Sequence, residues 1–398
     1  MNRYIKTFGI IGFISVLFCS YTKSELMTVN VKNESTYNGD GFSSVENTNS
    51  RAITNEIELI IQANGINIGG TLTIPTQQKT NSLVIMSSGS GDQGRDGTLD
   101  GFEIFKIIAK HLASQGIATF RYDDRGTGSS TGDFYNSTLE ELSEDVENIL
   151  SFFKSHKDHS FKDFILFGHS QGGIVAGKVA VENKDVKQII LMGVPAVPLV
   201  EVVLYQVRQE YASTILDKSL IEADVSAHNR LMRVIKDGKN RDNALKVFNE
   251  TTQSILSKLR TSKNDETLKI EKIATDKTNQ FENIYASPSL ASFLYYDPSG
   301  DYEKVHVPVL VLFGGKDIQV TIDQNKDRME NALLKSKADA HFVTFNDANH
   351  YFQKAKTGKR EEYGTLENTF VNGFLDEIPF GFLTTNLLTM ATIYKSKY

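Results

Sequence analysis

The chain has 398 residues, of which 40% are hydrophobic and 23% are charged, and its formal net charge is −6. This composition is ordinary for a folded globular protein, and without a basic stripe it excludes nucleic acid as an expected partner. The length predicts one large domain that carries an insertion or a smaller second domain.

The first 22 residues resemble a secretory signal. Arg3 and Lys6 precede an apolar run from Phe8 to Phe18 that is short for a transmembrane helix and suits the apolar region of a signal peptide. Cys19, the only cysteine, follows this run where a bacterial lipoprotein carries its acylated cysteine, although Phe18 is larger than the residue that such proteins have there. We therefore expect export, either with a lipid anchor at Cys19 or as a soluble protein that has lost Cys19 by cleavage. Neither form has an internal disulfide.

A linker and a β-hairpin follow the signal. Residues 23–52 are rich in Asn, Ser, Thr and Gly and poor in large apolar side chains, so we expect a flexible linker. Apolar and polar residues then alternate on both sides of Asn64-Gly65, a pair that tolerates the positive φ angles of a two-residue turn. This pattern predicts an N-terminal hairpin.

Apolar runs and helical patterns alternate after the hairpin. Strands that are apolar on both faces and separated by helices are typical of a parallel sheet with helices on both sides, so the predicted fold class is α/β. The predicted strands are 83–86, 117–122, 164–167, 189–192, 309–313 and 342–345, and helices are predicted at 102–112 and 139–153.

One interval interrupts this alternation. Residues 198–302 contain long charged helical patterns, such as 202–216 and 243–259, and no convincing central strand. We predict a helical cap at 198–302, inserted into a core formed by residues 53–197 and 303–398. Within that core, residues 380–398 lack the amphipathic pattern of a final covering helix.

The segment 168–172 reads GHSQG and matches G-x-S-x-G between a predicted strand and a predicted helix. A serine on such a tight turn has strained backbone angles, and flanking side chains collide unless they are glycine. Gly168, Gly172 and Gly173 supply that room. This context predicts that Ser170 is a nucleophile rather than an incidental residue of a glycine-rich turn.

A serine hydroxyl is a weak nucleophile until a base takes its proton. In the chain order nucleophile, acid, histidine, the base must come after Ser170. His228, His306 and His341 are explained more simply as surface or packing residues. His350 lies beyond the last predicted strand, in a loop at the carboxyl end of the sheet, and is the predicted base.

The base needs an acid that holds its imidazole in the correct tautomer. Asp317 follows the predicted strand 309–313 after a short Gly-Gly-Lys turn and is the predicted acid. Asp323 is the fallback candidate by the same loop-position argument. Asp347 lies near His350 in sequence but is more typical of a loop turn.

The developing oxyanion needs hydrogen-bond donors that are in place before reaction. One predicted donor is the backbone N–H of Gln171, which follows the nucleophile at the start of a helix. The second is the backbone N–H of Ser90, in the Gly89-Ser90-Gly91 segment after the first central strand. The same glycines also allow the chain to turn.

These motifs, in this order, resemble the α/β-hydrolase superfamily and within it the bacterial serine esterases with a helical cap. The resemblance extends over residues 56–377 and implies an α/β-hydrolase fold with a mostly parallel central sheet. It also implies ester hydrolysis through an acyl-enzyme without a metal or organic cofactor, and a structural role for residues 124–126 and 128–129. Asp92 and Gly94 depart from the family pattern, which has proline and aspartate there. The segments that carry the resemblance are 69–75, 89–96, 122–129, 168–173, 296–298, 315–320 and 349–353.

The expected function is hydrolysis of small-molecule carboxylic esters with small to medium acyl chains by Ser170, His350 and Asp317. Phe293, Tyr295 and Tyr296 either line an acyl pocket or pack in a core, and packing is the simpler interpretation. One alternative is a peptidase or amidase of the same fold, which would need acidic cap groups to bind a free amine. A second alternative is a non-catalytic envelope binding protein.

Overall fold

The computed structural model describes residues 54–211, 214–259 and 267–383. The expected signal at 1–22 with Cys19, the linker at 23–52 and the tail beyond residue 383 lie outside the described residues. No helix within these ranges is long and apolar enough to cross a membrane.

The strands form a central eight-stranded sheet and a separate two-stranded ribbon. In the described ranges they are β1 (Thr54–Ala63), β2 (Ile66–Pro75), β3 (Ser82–Ser87), β4 (Thr98–Leu99), β5 (Phe102–Glu103), β6 (Ala118–Tyr122), β7 (Asp163–His169), β8 (Val186–Met192), β9 (Val309–Gly314) and β10 (Ala340–Phe345).

Helices connect and cover these strands. In the described ranges they are α1 (Ile104–Ser114), α2 (Leu139–Ser155), α3 (Gln171–Glu182), α4 (Leu199–Glu210), α5 (Lys218–Asp237), α6 (Arg241–Leu259), α7 (Thr267–Ala286), α8 (Pro288–Leu294), α9 (Ser299–Tyr302), α10 (Ile322–Ser336), α11 (Arg360–Tyr363) and α12 (Phe374–Leu383).

The sheet has the order β1-β2-β6-β3-β7-β8-β9-β10. β1 pairs with β2 and β2 with β6 in antiparallel register, and the remaining neighbours are parallel. Asn64 and Gly65 have φ angles of 49° and 81°, as the predicted turn between β1 and β2 requires. The mostly parallel α/β sheet and its N-terminal hairpin are therefore confirmed.

Each face of the sheet contributes to its own hydrophobic core. Along β3, Leu83 and Ile85 belong to one core cluster, and Val84 and Met86 belong to the other. Successive side chains of a strand point to opposite faces, so this alternation shows that β3 is covered on both sides. The carboxyl ends of the parallel strands meet at one edge, where the loops after β3, β7 and β9 lie.

The start of α1 differs from the sequence expectation. Phe102, predicted to be helical, lies in β5 and pairs with Leu99 of β4, so the helix begins at Ile104. Asp100 and Gly101 make the turn between these strands with φ angles of 49° and 88°. Asp-Gly favours such a hairpin turn, and this local signal outweighs the helical spacing of the apolar residues.

The interval 198–302 contains α4 to α9 and no strand among its described residues. The predicted helix 202–216 is wrong at its end, because α4 stops at Glu210 and α5 begins at Lys218. Thr214 donates its hydroxyl hydrogen to the Tyr211 carbonyl, a local bond of the kind that competes with helical continuation. Phe293 is buried, and Tyr295 and Tyr296 pack against the same core cluster. The structure therefore agrees with the packing interpretation of these aromatic residues.

Candidate active site

Ser170 lies on the turn between β7 and α3 with backbone angles of φ 52° and ψ −122°. A positive φ is uncommon for a residue with a side chain, and such conformations persist only where the surrounding structure holds them. The Ser170 N–H donates to the Met192 carbonyl on the neighbouring strand at 2.9 Å. The strained turn is therefore fixed to the sheet.

The glycines around Ser170 are required by close backbone contacts. A Cβ atom on Gly172 would lie 2.3 Å from the Ser88 carbonyl oxygen and 2.4 Å from that of Ser87. A Cβ on Gly168 would lie 2.4 Å from the Gly173 Cα. Only glycine lets α3 start this close to β3 and its following loop, which agrees with the steric interpretation of the motif.

Asp317 and His350 form a buried pair in the loops after β9 and β10. His350 Nδ1 lies 2.7 Å from Asp317 Oδ2. Asp317 Oδ1 accepts the N–H groups of Gln319 at 2.8 Å and Val320 at 2.9 Å, which orients the carboxylate. Because the carboxylate accepts hydrogen bonds, Nδ1 carries the proton in this assignment and Nε2 keeps its lone pair.

The competing acids do not approach His350. Asp323 is exposed in the first turn of α10, and Asp347 is exposed in the loop after β10. The other histidines after Ser170 also lie elsewhere: His228 is buried in the cap against the Tyr285 hydroxyl, His306 contacts the Ser336 carbonyl, and His341 is exposed on β10. Of the candidates, the structure brings together Asp317 and His350.

A narrow cavity joins the predicted site residues. Ser170, His350, Ser90 and Gln171 all line it, and its volume of about 20 Å³ is room for about one water molecule. In the described part of the chain, no hydrogen bond links the Ser170 hydroxyl to His350. Such contacts often tighten only when substrate binds.

The loop that carries Ser90, residues 88–94, is held by Asp124. Ser88 donates its hydroxyl hydrogen and Gln93 its backbone N–H to Asp124 Oδ2, at 2.6 Å and 2.8 Å. Burial raises the pKa of the Asp124 carboxyl to about 7, and these hydrogen bonds oppose that rise. Sequence reasoning reached a structural role here only through the family resemblance, because the partners are about thirty residues away.

Asp92, one of the two departures from the family pattern, also anchors this loop. Its Oδ1 accepts the Tyr135 hydroxyl hydrogen at 2.8 Å, and the Gln93 side chain donates to the Ser90 carbonyl at 3.1 Å. Arg95 donates its backbone N–H to Asp123 at 2.9 Å and forms an ion pair with the same carboxylate. These bonds fix the segment without the proline of the family pattern.

Two further cavity residues were missed by sequence reasoning. Gln206 of α4 and Tyr351, next to His350, line the cavity beside Ser170. Tyr351 is adjacent to a predicted site residue and could have been suspected. Gln206 lies on a helix of the insertion with no motif around it, so the sequence gives no signal for it.

The order of strands, the strained serine on the β7–α3 turn and the buried Asp–His pair are those of an α/β-hydrolase fold. The family model described as serine aminopeptidase, S33, matches residues 96–280, and the model of the dienelactone hydrolase family matches residues 293–369.

Comparisons with known proteins find these similarities. The chain is 26% identical to Esterase EstD of Thermotoga maritima over 294 residues, which is 73% of this chain and 58% of EstD. It therefore spans less than two thirds of that relative. The esterase Pf2001 of Pyrococcus furiosus aligns with a TM-score of 0.46 and 12% identity, over 74% of this chain and 82% of that chain. Proline iminopeptidase of Mycobacterium smegmatis aligns with a TM-score of 0.43 and 14% identity, over 73% and 90%.

Proposed function

We propose that this protein is a serine esterase that hydrolyses small carboxylic esters through an acyl-enzyme. The observation that carries the proposal is the 2.7 Å contact between His350 and Asp317 beside the strained Ser170 turn, at one cavity. An imidazole oriented by a carboxylate near the serine is what activation of the serine hydroxyl requires.

In the first half of the reaction, Ser170 Oγ attacks the ester carbonyl carbon while His350 Nε2 takes the hydroxyl proton. The bond between the carbonyl carbon and the alkoxy oxygen then breaks, and His350 gives the proton to the departing alcohol. Asp317 stays ionised, keeps Nδ1 protonated and stabilises the imidazolium that forms between these two transfers.

The backbone N–H groups of Ser90 and Gln171 are the proposed donors to the oxyanion. Both residues line the cavity, and Gln171 begins α3, whose first N–H groups have no partner within the helix.

In the second half of the reaction, water attacks the acyl carbon, its proton passes through His350 to Ser170 Oγ, and the carboxylic acid leaves.

The cavity supports the small end of the expected acyl range. Its volume of about 20 Å³ is small, which favours short acyl groups over long ones. Among the described residues, none that line it has a carboxylate on its side chain, whereas a peptidase that binds a free amine would need one. This observation favours esters over the peptidase alternative.

The test is hydrolysis of p-nitrophenyl esters of increasing acyl length by the wild type and by Ser170→Ala. We expect turnover that is greatest for short acyl groups in the wild type, and loss of at least about 10⁴-fold in the variant. Circular dichroism and thermal melting establish that both are folded. If the folded wild type hydrolyses no ester, the proposal fails and the binding or amidase alternatives replace it.

We also propose, from the sequence pattern of residues 1–22 alone, that the protein is exported. Mass spectrometry of the mature N-terminus distinguishes the two forms. A diacylated Cys19 supports a lipid-anchored protein, a start beyond Cys19 supports a soluble exported protein, and an intact Met1 with its following residues contradicts export.

A further inference from the structure

Gln206 presents an unpaired hydrogen-bond acceptor at the cavity of the proposed active site. Its side chain is 2% exposed, and its Nε2 donates to the Gln319 backbone carbonyl at 3.1 Å. Its Oε1 is buried and has no partner among the described groups. Because the partner of the amide is a carbonyl oxygen, the nitrogen must face it, and the orientation of the amide is fixed.

Buried acceptors without a partner are rare in native proteins, and each calls for an explanation. Gln206 lines the same cavity as Ser170 and His350, which is the space that an acyl group would enter. A ligand that brings a hydrogen-bond donor would supply the missing partner.

Another residue that lines this cavity, His169, carries a second unpaired acceptor. His169 Nε2 lies 3.1 Å from the His350 carbonyl oxygen, so Nε2 must carry the proton. Burial lowers the pKa of His169 to about 3, and the ring is therefore neutral at physiological pH. Its Nδ1 is then an acceptor, which is buried and unpaired among the described groups.

We infer that Gln206 is a specificity-determining residue whose Oε1 accepts a hydrogen bond from a hydroxyl group on the acyl chain, so that the preferred substrates are esters of small hydroxy acids. The inference rests on the proposed esterase function and names its substrate class. His169, which also lines the cavity, adds a second unpaired acceptor, Nδ1. A substrate that brings hydrogen-bond donors is therefore favoured over one that brings further acceptors.

The chemistry of the cavity favours a neutral donor over a cationic one. An ammonium group on the acyl chain would also donate to Oε1, but it would enter a buried space with no carboxylate on the described side chains that line it. Burial of an unpaired charge costs far more than burial of a hydroxyl whose hydrogen bond is made. The hydroxyl is therefore the donor that this site fits.

The experiment compares four ethyl esters that share a three-carbon acyl group: propionate, lactate, 3-hydroxypropionate and β-alaninate. Acid release is followed by pH-stat titration, and kcat/KM is measured for the wild type, Gln206→Met and Gln324→Met. Gln324 is a matched control, because its Nε2 also donates to a backbone carbonyl, that of Glu201, but it is only partly buried and does not line the cavity.

We expect the wild type to prefer at least one hydroxy ester over propionate by about tenfold or more, the size of one well-made hydrogen bond. Gln206→Met should lower this ratio about tenfold relative to the wild type, while Gln324→Met should keep it. The ratio, rather than the absolute rate, is compared because the variant also loses its bond to Gln319. The intrinsic reactivity of each ester cancels between enzymes.

Two results overturn the inference: a wild-type ratio near 1 for both hydroxy esters, or a preference that persists in Gln206→Met. A preference for β-alaninate over both hydroxy esters also overturns it and favours the amine-binding alternative. If Gln206→Met does not fold, the test is competitive inhibition of the wild type by the free acids. We expect lactate or 3-hydroxypropionate to have a lower inhibition constant than propionate, and equal constants overturn the inference. Ser170-dependent hydrolysis of ethyl propionate without hydroxyl preference refutes the inference and leaves the esterase proposal intact.

Discussion

At the scale of single residues, the contact between Asp317 and His350 determines which imidazole nitrogen can act. The carboxylate receives one hydrogen bond from the ring and two from the backbone of its own loop. These bonds hold the carboxylate in one orientation, and the carboxylate in turn selects the tautomer with its lone pair on Nε2.

We predict that Asp317→Asn lowers kcat by roughly 10⁴-fold with little change in fold, because an amide can donate to Nδ1 and so stabilise the wrong tautomer. Steady-state hydrolysis of the best p-nitrophenyl ester measures the effect. Asp323→Asn is the matched control, since Asp323 is exposed on α10 and should retain wild-type kcat. Equal losses in the two variants would contradict the assignment of Asp317.

The triad candidates could be chosen from the sequence because each follows a recognisable strand. Ser170, Asp317 and His350 come after apolar runs whose carboxyl ends must share one edge of a parallel sheet. Gln206 could not be chosen, because its place depends on how α4 packs over that edge. The packing of an inserted helix is set by distant contacts that leave no local pattern.

At the scale of elements, the turn from β7 into α3 depends on how closely α3 approaches β3. We predict that Gly172→Ala destabilises the protein by about 1–3 kcal/mol or more and abolishes most activity, because its Cβ would meet the backbone of Ser87 and Ser88. Thermal melting and ester hydrolysis measure the two effects.

Gly300→Ala serves as the control for that change. A Cβ at Gly300 would meet nothing within 4 Å, and its φ is not positive, so stability should be unchanged or rise by about 0.5–1 kcal/mol. A Gly172→Ala protein as stable and active as Gly300→Ala would refute the steric account of the turn.

Asp124, which holds the loop at residues 88–94, should make the stability of the folded protein depend on pH. The pKa of Asp124 is raised by burial to about 7 in the folded protein and is ordinary, about 3.9, in the unfolded chain. Between these values the folded state keeps a proton that the unfolded state has lost. The contribution of Asp124 to the free energy of unfolding therefore falls as pH rises from about 4 to 7, by about 4 kcal/mol at most.

Asp124→Asn removes this titration and keeps an oxygen that can accept from Gln93. We predict that the wild type loses stability relative to Asp124→Asn as pH rises through this window, measured by urea unfolding at several pH values. A constant difference between the two proteins would show that Asp124 has the same pKa in both states.

The helices of residues 198–302 show which element boundaries the sequence pattern does not predict. Residues 202–216 have a continuous helical pattern, yet α4 stops at Glu210, where a threonine hydroxyl bonds back to the chain. The ribbon at Asp100-Gly101 was missed for a related reason, since a turn signal lay inside an apolar pattern of helical spacing. Local polar bonds and turn residues fix such boundaries, and periodicity does not report them.

At the scale of the whole molecule, the helices of residues 198–302 share the hydrophobic core on one face of the sheet. Val203 of α4, Phe248 of α6 and Phe293 of α8 belong to the same cluster as Leu83 and Ile189 of the central strands. These helices lie between β8 and β9 in sequence, and their apolar side chains continue that core.

We predict a single cooperative unfolding transition for cap and core. Phe293→Ala should lower the free energy of unfolding by about 3–5 kcal/mol, because Phe293 is 1% exposed in the shared cluster. Calorimetry and circular dichroism should report coincident transitions in both proteins. A cap that melts first, as a separate low-temperature step, would contradict this picture.

The bond between Gln206 and the Gln319 carbonyl links α4 to the proposed acid, since the Gln319 N–H donates to Asp317. By reciprocity, whatever displaces α4 alters the affinity for a ligand that contacts Gln206, and that ligand must restrain α4 to the same degree. Occupancy of the cavity should then be readable at a distance, as slower amide hydrogen exchange along α4. Helix α4 would then report the presence of substrate.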